Sequence, residues 1–268
     1  MEKESSVTVR SPAIVLSIVF LLLVLGFFVF VFLYPQSPDV PQTQTKYEIY
    51  GGMTDELKGS EFFEDLQSGR SICFLGDSIT AGTEIGGIHW YEPLTPYIKG
   101  TISNLSTGGW MVEDLIDQAA AIPNADIYVI AIGINDVIFR KAVKSAPTPA
   151  EFAQRCSLLT DTIKGISPDA KLYFIAPWTF IGQSEDIIAL GNNFRAALKD
   201  MCAGSGYQYI NPDPVITSVI YTEGYDKYMY NDFHPNASDG VGLYSYAVLK
   251  ATVKKFYPFF EISKTSAE

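Results

Sequence analysis

The sequence predicts an α/β domain built on a parallel β-sheet, and two observations carry that prediction. Short apolar runs alternate with longer segments of helical periodicity between residues 54 and 257, a pattern typical of parallel strands with helices on both faces. One of the runs, residues 126–133 (DIYVIAIG), is apolar almost throughout, as expected of a central strand. A chain of 268 residues, 47% of them hydrophobic, is long enough to bury such a core.

The predicted strands and helices follow one another along the chain in alternation. The strands are expected at residues 71–76, 101–105, 126–133, 171–176 and 207–211. The helices are expected at residues 54–66, 90–98, 112–121, 148–164, 185–203 and about 241–257. Because each helix returns the chain to the start of the next strand, the carboxyl ends of the five strands should share one edge, where open α/β sheets bind their ligands.

A long apolar segment precedes this domain. Residues 13–34 contain no charged side chain, and as a helix 22 residues span roughly 33 Å, enough to cross a hydrocarbon core of about 30 Å. The segment ends without the small-residue cleavage site of a signal peptide. We therefore expect a transmembrane anchor over residues 13–34, with residues 1–12 as a cytoplasmic tail. Lys3 and Arg10 lie before the segment and only Lys46 lies close after it, which favours a single-pass protein of the cell membrane with its domain outside.

The region between anchor and domain is predicted to be an extended linker. Residues 35–52 contain Pro35, Pro38 and Pro41 among polar residues, and the catalytic domain is expected to occupy residues 53–268. The net charge of −11, without a cluster of Lys and Arg, argues against a nucleic-acid partner. Three cysteines, an odd number, provide no disulfide framework.

A serine stands where the first strand should end. The sequence Gly76-Asp77-Ser78 follows an apolar run directly, so the hydroxyl of Ser78 should lie at the ligand-binding edge and is a candidate nucleophile. A serine needs a base, and the chain has only two histidines, His89 and His234. His89 lies beside Trp90 and is interpreted as structural, which leaves His234 as the candidate base.

Two further loops reach the same edge. Asn104 to Gly109 follow the second predicted strand, and Gly133-Ile134-Asn135-Asp136 follow the central strand. A glycine N–H can approach a ligand closely, and a side-chain amide is a donor that does not titrate. Both suit an oxyanion hole, although a glycine here could also serve only a turn, and Asn135 could simply cap the following helix.

With these four blocks in this order, the chain resembles the SGNH hydrolases, also called GDSL-type esterases, over about residues 70–258. The resemblance implies a flavodoxin-like three-layer α/β/α sandwich with a five-stranded parallel sheet. It implies Ser78 as nucleophile and His234 as base. The oxyanion hole would comprise Ser78, the backbone N–H of Gly109 (with Gly108 as the alternative glycine) and the amide of Asn135. No metal and no cofactor are expected.

One position departs from the family pattern. The family carries an aspartate three residues before the histidine, but here that residue is Asn231, and Asp232 stands two residues before His234. Either a shifted loop brings Asp232 to the imidazole, or Asn231 orients it without a charge, or the site is a serine–histidine dyad. We expect Asp232 to be the orienting residue.

Aromatic residues near the predicted site suggest the substrate. Trp110 follows the candidate oxyanion glycine, and Tyr230 and Phe233 flank the approach to His234, so they are candidates to stack on sugar rings. The expected function is an esterase or O-acyltransferase that works through an acyl-serine on O-acyl groups, in particular O-acetyl groups, of cell-surface carbohydrate. A transferase would need an acyl-donor partner in the membrane. The alternatives are a lipase or thioesterase acting on acyl lipids, and a degenerate domain that binds glycan without turnover.

Overall fold

The computed structural model describes residues 47–144 and 146–254, and their centre is a parallel sheet of five strands. The strands are β1 (Ile72–Gly76), β2 (Ile102–Ser106), β3 (Ile127–Ala131), β4 (Lys171–Ile175) and β5 (Gln208–Ile210). Their order across the sheet is β2-β1-β3-β4-β5, and every neighbouring pair is parallel. The predicted α/β class and five-stranded parallel sheet are confirmed, and the strand order is the flavodoxin-like one.

Helices cover both faces of this sheet. All five residues of β1 and of β3 are buried, which requires a helix layer on each side. In the described part of the chain the α-helices are α1 (Asp55–Lys58), α2 (Glu61–Leu66), α3 (Ser78–Ala81), α4 (Val112–Asp117), α5 (Ile134–Ala142), α6 (Pro149–Ile166), α7 (Glu185–Ser205), α8 (Asp213–Glu223) and α9 (Asp239–Ala251).

The sheet order fixes where a ligand site can form. From β1 the chain crosses to β2 on one side and later returns to β3 on the other, so the order reverses at β1. In register, Gly76 at the end of β1 lies opposite Ser106 of β2 and Ala131 of β3. The crevice beyond these three carboxyl ends is the switch point at which open α/β sheets bind ligands.

Several elements differ from their predicted form. The helix predicted at 54–66 is interrupted, because Ser60 caps α2 by accepting from the Phe63 N–H at 3.2 Å. The helix predicted at 90–98 is a 3₁₀ segment, Glu92–Tyr97, with Pro93 and Pro96 in it; proline lacks the N–H that an α-helix needs. Helices α5 and α8 were not among the predicted elements.

The domain begins earlier than residue 53. Ile49 is buried, and Tyr50 N–H donates to the Gly242 carbonyl at 3.2 Å, so the last residues of the predicted linker pack on the domain. The predicted tail, the anchor at 13–34 and most of the linker lie outside the described residues, as does the end of the last predicted helix. No helix within residues 47–144 and 146–254 combines the length and apolarity needed to cross a membrane.

Candidate active site

Ser78 is placed by a tight turn at the end of β1. A Cβ on Gly76 would lie 2.5 Å from the Ala131 carbonyl oxygen, so only glycine lets the chain turn here against β3. Asp77 caps the short helix α3 by accepting from the Ile79 N–H at 3.1 Å. Ser78 is the first residue of that helix and is 7% exposed.

His234 reaches Ser78 from the loop before α9. The Ser78 Oγ and the His234 Nε2 are 2.7 Å apart, although 156 positions separate the two residues in sequence. A bridge between Met229 and Pro235 closes the loop, and within it Tyr230 N–H donates to the His234 carbonyl at 2.8 Å. The predicted pairing of this serine with this histidine is therefore present in the structure.

The other nitrogen of the imidazole faces Asn231. The Asn231 Oδ1 lies 2.8 Å from His234 Nδ1 and also accepts from the N–H groups of Phe233 at 3.1 Å and His234 at 3.0 Å. Two backbone donors can only point at the amide oxygen, so they fix the orientation of the amide. The Nδ1 must then carry the proton and donate to Asn231, which leaves Nε2 free to accept the Ser78 proton.

The expectation that Asp232 orients the imidazole is wrong. The side chain of Asp232 is exposed and makes no hydrogen bond to any residue that the structure describes, whereas Asn231 occupies the Nδ1 side of the ring. The reason is local: the amide oxygen of Asn231 bonds the N–H groups two and three residues ahead, which forms an Asx turn and directs the next side chain to solvent. The orienting group is neutral.

His89 is a separate, structural histidine. Its Nδ1 donates to the Thr80 carbonyl at 2.8 Å, and its ring stacks on Tyr91 at 4.9 Å between centroids.

The candidate oxyanion donors follow β2 and β3, the two strands that flank β1 in the sheet. Gly109 has φ of +80°, a conformation that favours glycine, and neither Gly108 nor Gly109 has a hydrogen-bond partner for its N–H among residues 47–144 and 146–254. The Asn135 amide donates to the Trp110 carbonyl at 2.9 Å, which occupies one of its two N–H groups. The second remains for a ligand. Asn135 lies in the first turn of α5, whose N-cap residue is Gly133.

Burial shapes the electrostatics of this site. It lowers the pKa of His234, an effect that the nearby Glu84 partly opposes. It raises the pKa of Asp77 and that of Asp136 to about 7 each. The Asp77 Oδ2 is buried without a partner in the described part of the chain, an environment that suits a protonated carboxyl.

The structure offers no metal site among the residues it describes, since no three of their His, Cys, Asp and Glu side chains cluster as ligands. The cysteines Cys73, Cys156 and Cys202 are buried and unbridged. Burial raises the pKa of Cys73 to about 11, so this thiol is not a nucleophile at neutral pH.

The predicted substrate-binding aromatics differ in exposure. Tyr230 is 58% exposed and free to meet a ligand. Phe233 is half-buried and packs edge to face on Phe180 at 6.4 Å between centroids, and Trp110 is half-buried against the core.

Sequence reasoning missed Glu84, which acts on His234 from the segment after α3. Tyr225, one of the aromatic residues that precede His234 in sequence, supports the orienting residue, because its hydroxyl donates to the Asn231 carbonyl at 3.0 Å.

Comparison with solved structures shows the same fold, and three examples illustrate it. A putative GDSL-like lipase from Parabacteroides merdae is 17% identical with a TM-score of 0.60, covering 70% of this chain and 97% of that one. An acetylxylan esterase from Geobacillus stearothermophilus is 19% identical with a TM-score of 0.57, covering 71% and 97%. An α/β hydrolase from the metagenome of Lake Arreo, Spain, is 17% identical with a TM-score of 0.57, covering 69% and 95%.

No curated protein matches the chain significantly in sequence. The model of the GDSL-like lipase/acylhydrolase family matches residues 74–238, which is more than half of the chain and reaches from the middle of β1 to the loop after His234. The chain belongs to the GDSL-like lipase/acylhydrolase family.

Proposed function

We propose that the protein is a serine esterase that removes short acyl groups, in particular O-acetyl groups, from cell-surface carbohydrate. The observation that carries this proposal is the relay from Ser78 Oγ to His234 Nε2 at 2.7 Å and from His234 Nδ1 to Asn231 Oδ1 at 2.8 Å. It provides a nucleophile, a base and a group that fixes the tautomer, at the crevice where the fold binds ligands.

The reaction follows from these contacts. Ser78 Oγ attacks the ester carbonyl while His234 Nε2 takes its proton, and the resulting oxyanion accepts from the Gly109 N–H and the free N–H of Asn135. The bond between the carbonyl carbon and the alcohol oxygen then breaks, and the alcohol leaves with the proton from His234. Water attacks the acyl-serine with His234 again as base, and the carboxylic acid is released. A sugar hydroxyl in place of that water would give transfer instead of hydrolysis.

The neutral orienting group does not exclude turnover. The catalytic variants of the Geobacillus stearothermophilus acetylxylan esterase replace a serine, a histidine and an aspartate three positions before that histidine. Asn231 stands at the same spacing before His234. It accepts the proton of His234 Nδ1, which keeps the imidazole in the tautomer whose Nε2 can accept the Ser78 proton. We therefore favour an active enzyme over a degenerate glycan-binding domain.

One observation favours an acylated sugar over an acyl lipid. Tyr230 lies within the loop that the bridge between Met229 and Pro235 closes, next in sequence to Asn231, and its ring is exposed. An exposed aromatic ring beside the relay can stack on the apolar face of a sugar.

We also propose that residues 13–34 anchor the chain in the cell membrane with the catalytic domain outside. The support is in the sequence, which places 22 residues without a charge ahead of the domain. An anchored enzyme facing outward meets acylated polysaccharide, and a transferase there would need an acyl-donor partner in the membrane.

A chain-length series of p-nitrophenyl esters tests the proposal on the full chain in detergent. Acetate should be turned over best, butyrate more slowly and octanoate hardly at all, and Ser78→Ala should be inactive while still folded. Release of acetate from O-acetylated oligosaccharide, measured with and without added sugar acceptor, separates hydrolysis from transfer. Preference for octanoate would favour the lipase alternative, and a folded protein inactive on every ester would favour the degenerate one.

A further inference from the structure

The loop that carries Gly108 and Gly109 is held by few contacts of its own. Neither glycine has a side chain to pack, and Gly109 is exposed. Thr107 N–H donates to the Gly76 carbonyl at 3.3 Å, and Trp110 N–H donates to the Thr107 carbonyl at 3.3 Å; neither bond involves the glycines themselves or ties the loop to α5. A donor stabilises an oxyanion only if its position is set beforehand, so this loop needs further restraint.

Two consecutive side chains of α5 supply it. The Asn135 amide binds the Trp110 carbonyl at 2.9 Å, and the two carboxyl oxygens of Asp136 lie 3.3 and 3.4 Å from the Val112 nitrogen, whose N–H they accept. Asp136 is 1% exposed and Val112 is fully buried, so water does not compete for this bond. Helix α5 thus holds the end of the glycine loop at two points.

We propose that Asp136 is a positioning residue for catalysis, which holds Val112 and through it sets the Gly108 and Gly109 N–H groups relative to the Asn135 amide. The inference rests on the proposed function, because it assumes that these groups meet an oxyanion. Since Asn135 and Asp136 are neighbours on one helix, a single rigid element sets the spacing of both kinds of donor. Burial raises the pKa of Asp136 to about 7, because the charged carboxylate is disfavoured in this environment.

Asp114, two residues after Val112, offers a matched control. Asp114 accepts from the Met111 N–H at 2.7 Å and so caps the same helix, α4. It belongs to α4 itself and makes no bond to α5. Removing the Asp114 carboxylate should weaken the start of α4 as much as removing that of Asp136 does. The bond between Asp136 of α5 and the Val112 N–H then stays in place.

The test compares four variants of the full chain, with p-nitrophenyl acetate as substrate. Asp136→Leu keeps the volume but loses the acceptor, Asp136→Asn keeps an acceptor oxygen, and Asp114→Ala and Ser78→Ala are the controls. We expect Asp136→Leu to lower kcat about 10- to 100-fold with KM changed less than about twofold. Displaced N–H donors would stabilise the transition state less well while the binding of the substrate stays nearly the same. Asp136→Asn should recover most of the lost kcat, and Asp114→Ala should stay within about threefold of wild type.

Amide hydrogen exchange gives a readout that does not depend on activity. Residues 107–112 should exchange faster in Asp136→Leu than in the wild type or Asp136→Asn, while the strands keep their protection. If Asp136→Leu does not fold, Asp136→Ala takes its place in both measurements.

Three outcomes would overturn the inference: kcat within threefold of wild type in a folded Asp136→Leu protein, equal losses in Asp136→Leu and Asp114→Ala, or unchanged exchange at residues 107–112. A wild-type protein without Ser78-dependent ester cleavage would instead contradict the proposed function. The exchange result would then still decide whether Asp136 holds the loop.

Discussion

The exchange Asn231→Asp tests the neutral orienting group most sharply. The amide oxygen lies 2.8 Å from His234 Nδ1, so a carboxylate in its place would have its charge about 4 Å from the imidazolium that forms in the transition state. At an effective dielectric constant of about 20 this attraction is about 4 kcal/mol, an upper bound. Desolvation of the half-buried carboxylate removes part of it, which leaves about 1.5–3 kcal/mol and a rise in kcat of about 10- to 100-fold.

The carboxylate introduced by Asn231→Asp must also shift the pH dependence of kcat/KM. Burial lowers the pKa of His234 in the wild type, so the acid limb of kcat/KM should lie below the ordinary value for histidine. In Asn231→Asp the limb should move up by about one to two pH units, because the carboxylate favours the protonated ring.

The assay is the pH–rate profile with p-nitrophenyl acetate between pH 5 and 9.5, with Asp232→Asn as the control. Asp232 is exposed, and its exchange should change neither kcat nor the limb by more than a small factor. Asn231→Ala should lose about 100-fold or more, since nothing then fixes the tautomer. A strong loss of turnover in Asp232→Asn, with kcat and the acid limb unchanged in Asn231→Asp, would refute the assignment of Asn231 as the residue that orients His234.

Three further predictions concern charge, burial and attachment. Glu84 opposes the burial effect on the pKa of His234, so Glu84→Gln should move the acid limb of kcat/KM to lower pH; an unmoved limb would exclude this interaction. Burial raises the pKa of Asp77 from 3.8 to about 7, so its contribution to stability is complete below pH 3.8 and is lost as the pH rises through 7. Urea unfolding should show that the wild type loses a few kcal/mol between pH 4 and 8 that Asp77→Asn does not lose, and equal slopes for both proteins would contradict this. The full chain should stay with membranes through salt extraction, and deletion of residues 1–44 should release an active protein; a native protein that begins near residue 36 and is secreted freely would show that there is no anchor.

From the sequence alone one could predict the parallel sheet and the position of Ser78 and His234 together at its carboxyl edge. Buried strands such as residues 127–131 are continuous apolar runs, and the sharp turns at their carboxyl ends need glycine, as at Gly76. Parallel strands bring those ends together, so Ser78 and His234 could be paired although they are far apart in the chain.

What could not be predicted depends on local backbone geometry. Whether Asn231 or Asp232 faces His234 is decided by which oxygen accepts the N–H groups of the loop, and a one-residue difference in a loop leaves no periodic pattern. Helix α5 was missed because only Ile132 and Gly133 separate it from β3, so its first residues were interpreted as a loop. Asp136 could be placed in this block but given no role, since the bond that it accepts from Val112 of another helix appears only in the folded chain.

Covalent labelling tests most directly whether Ser78 is the nucleophile. The full chain is treated with a fluorophosphonate, digested and analysed by mass spectrometry while ester turnover is followed in parallel. We expect a single adduct on the peptide that contains Ser78, loss of turnover in proportion to labelling, and much slower labelling in His234→Ala. An adduct on a different serine, or near wild-type turnover in a folded Ser78→Ala protein, would contradict this role of Ser78.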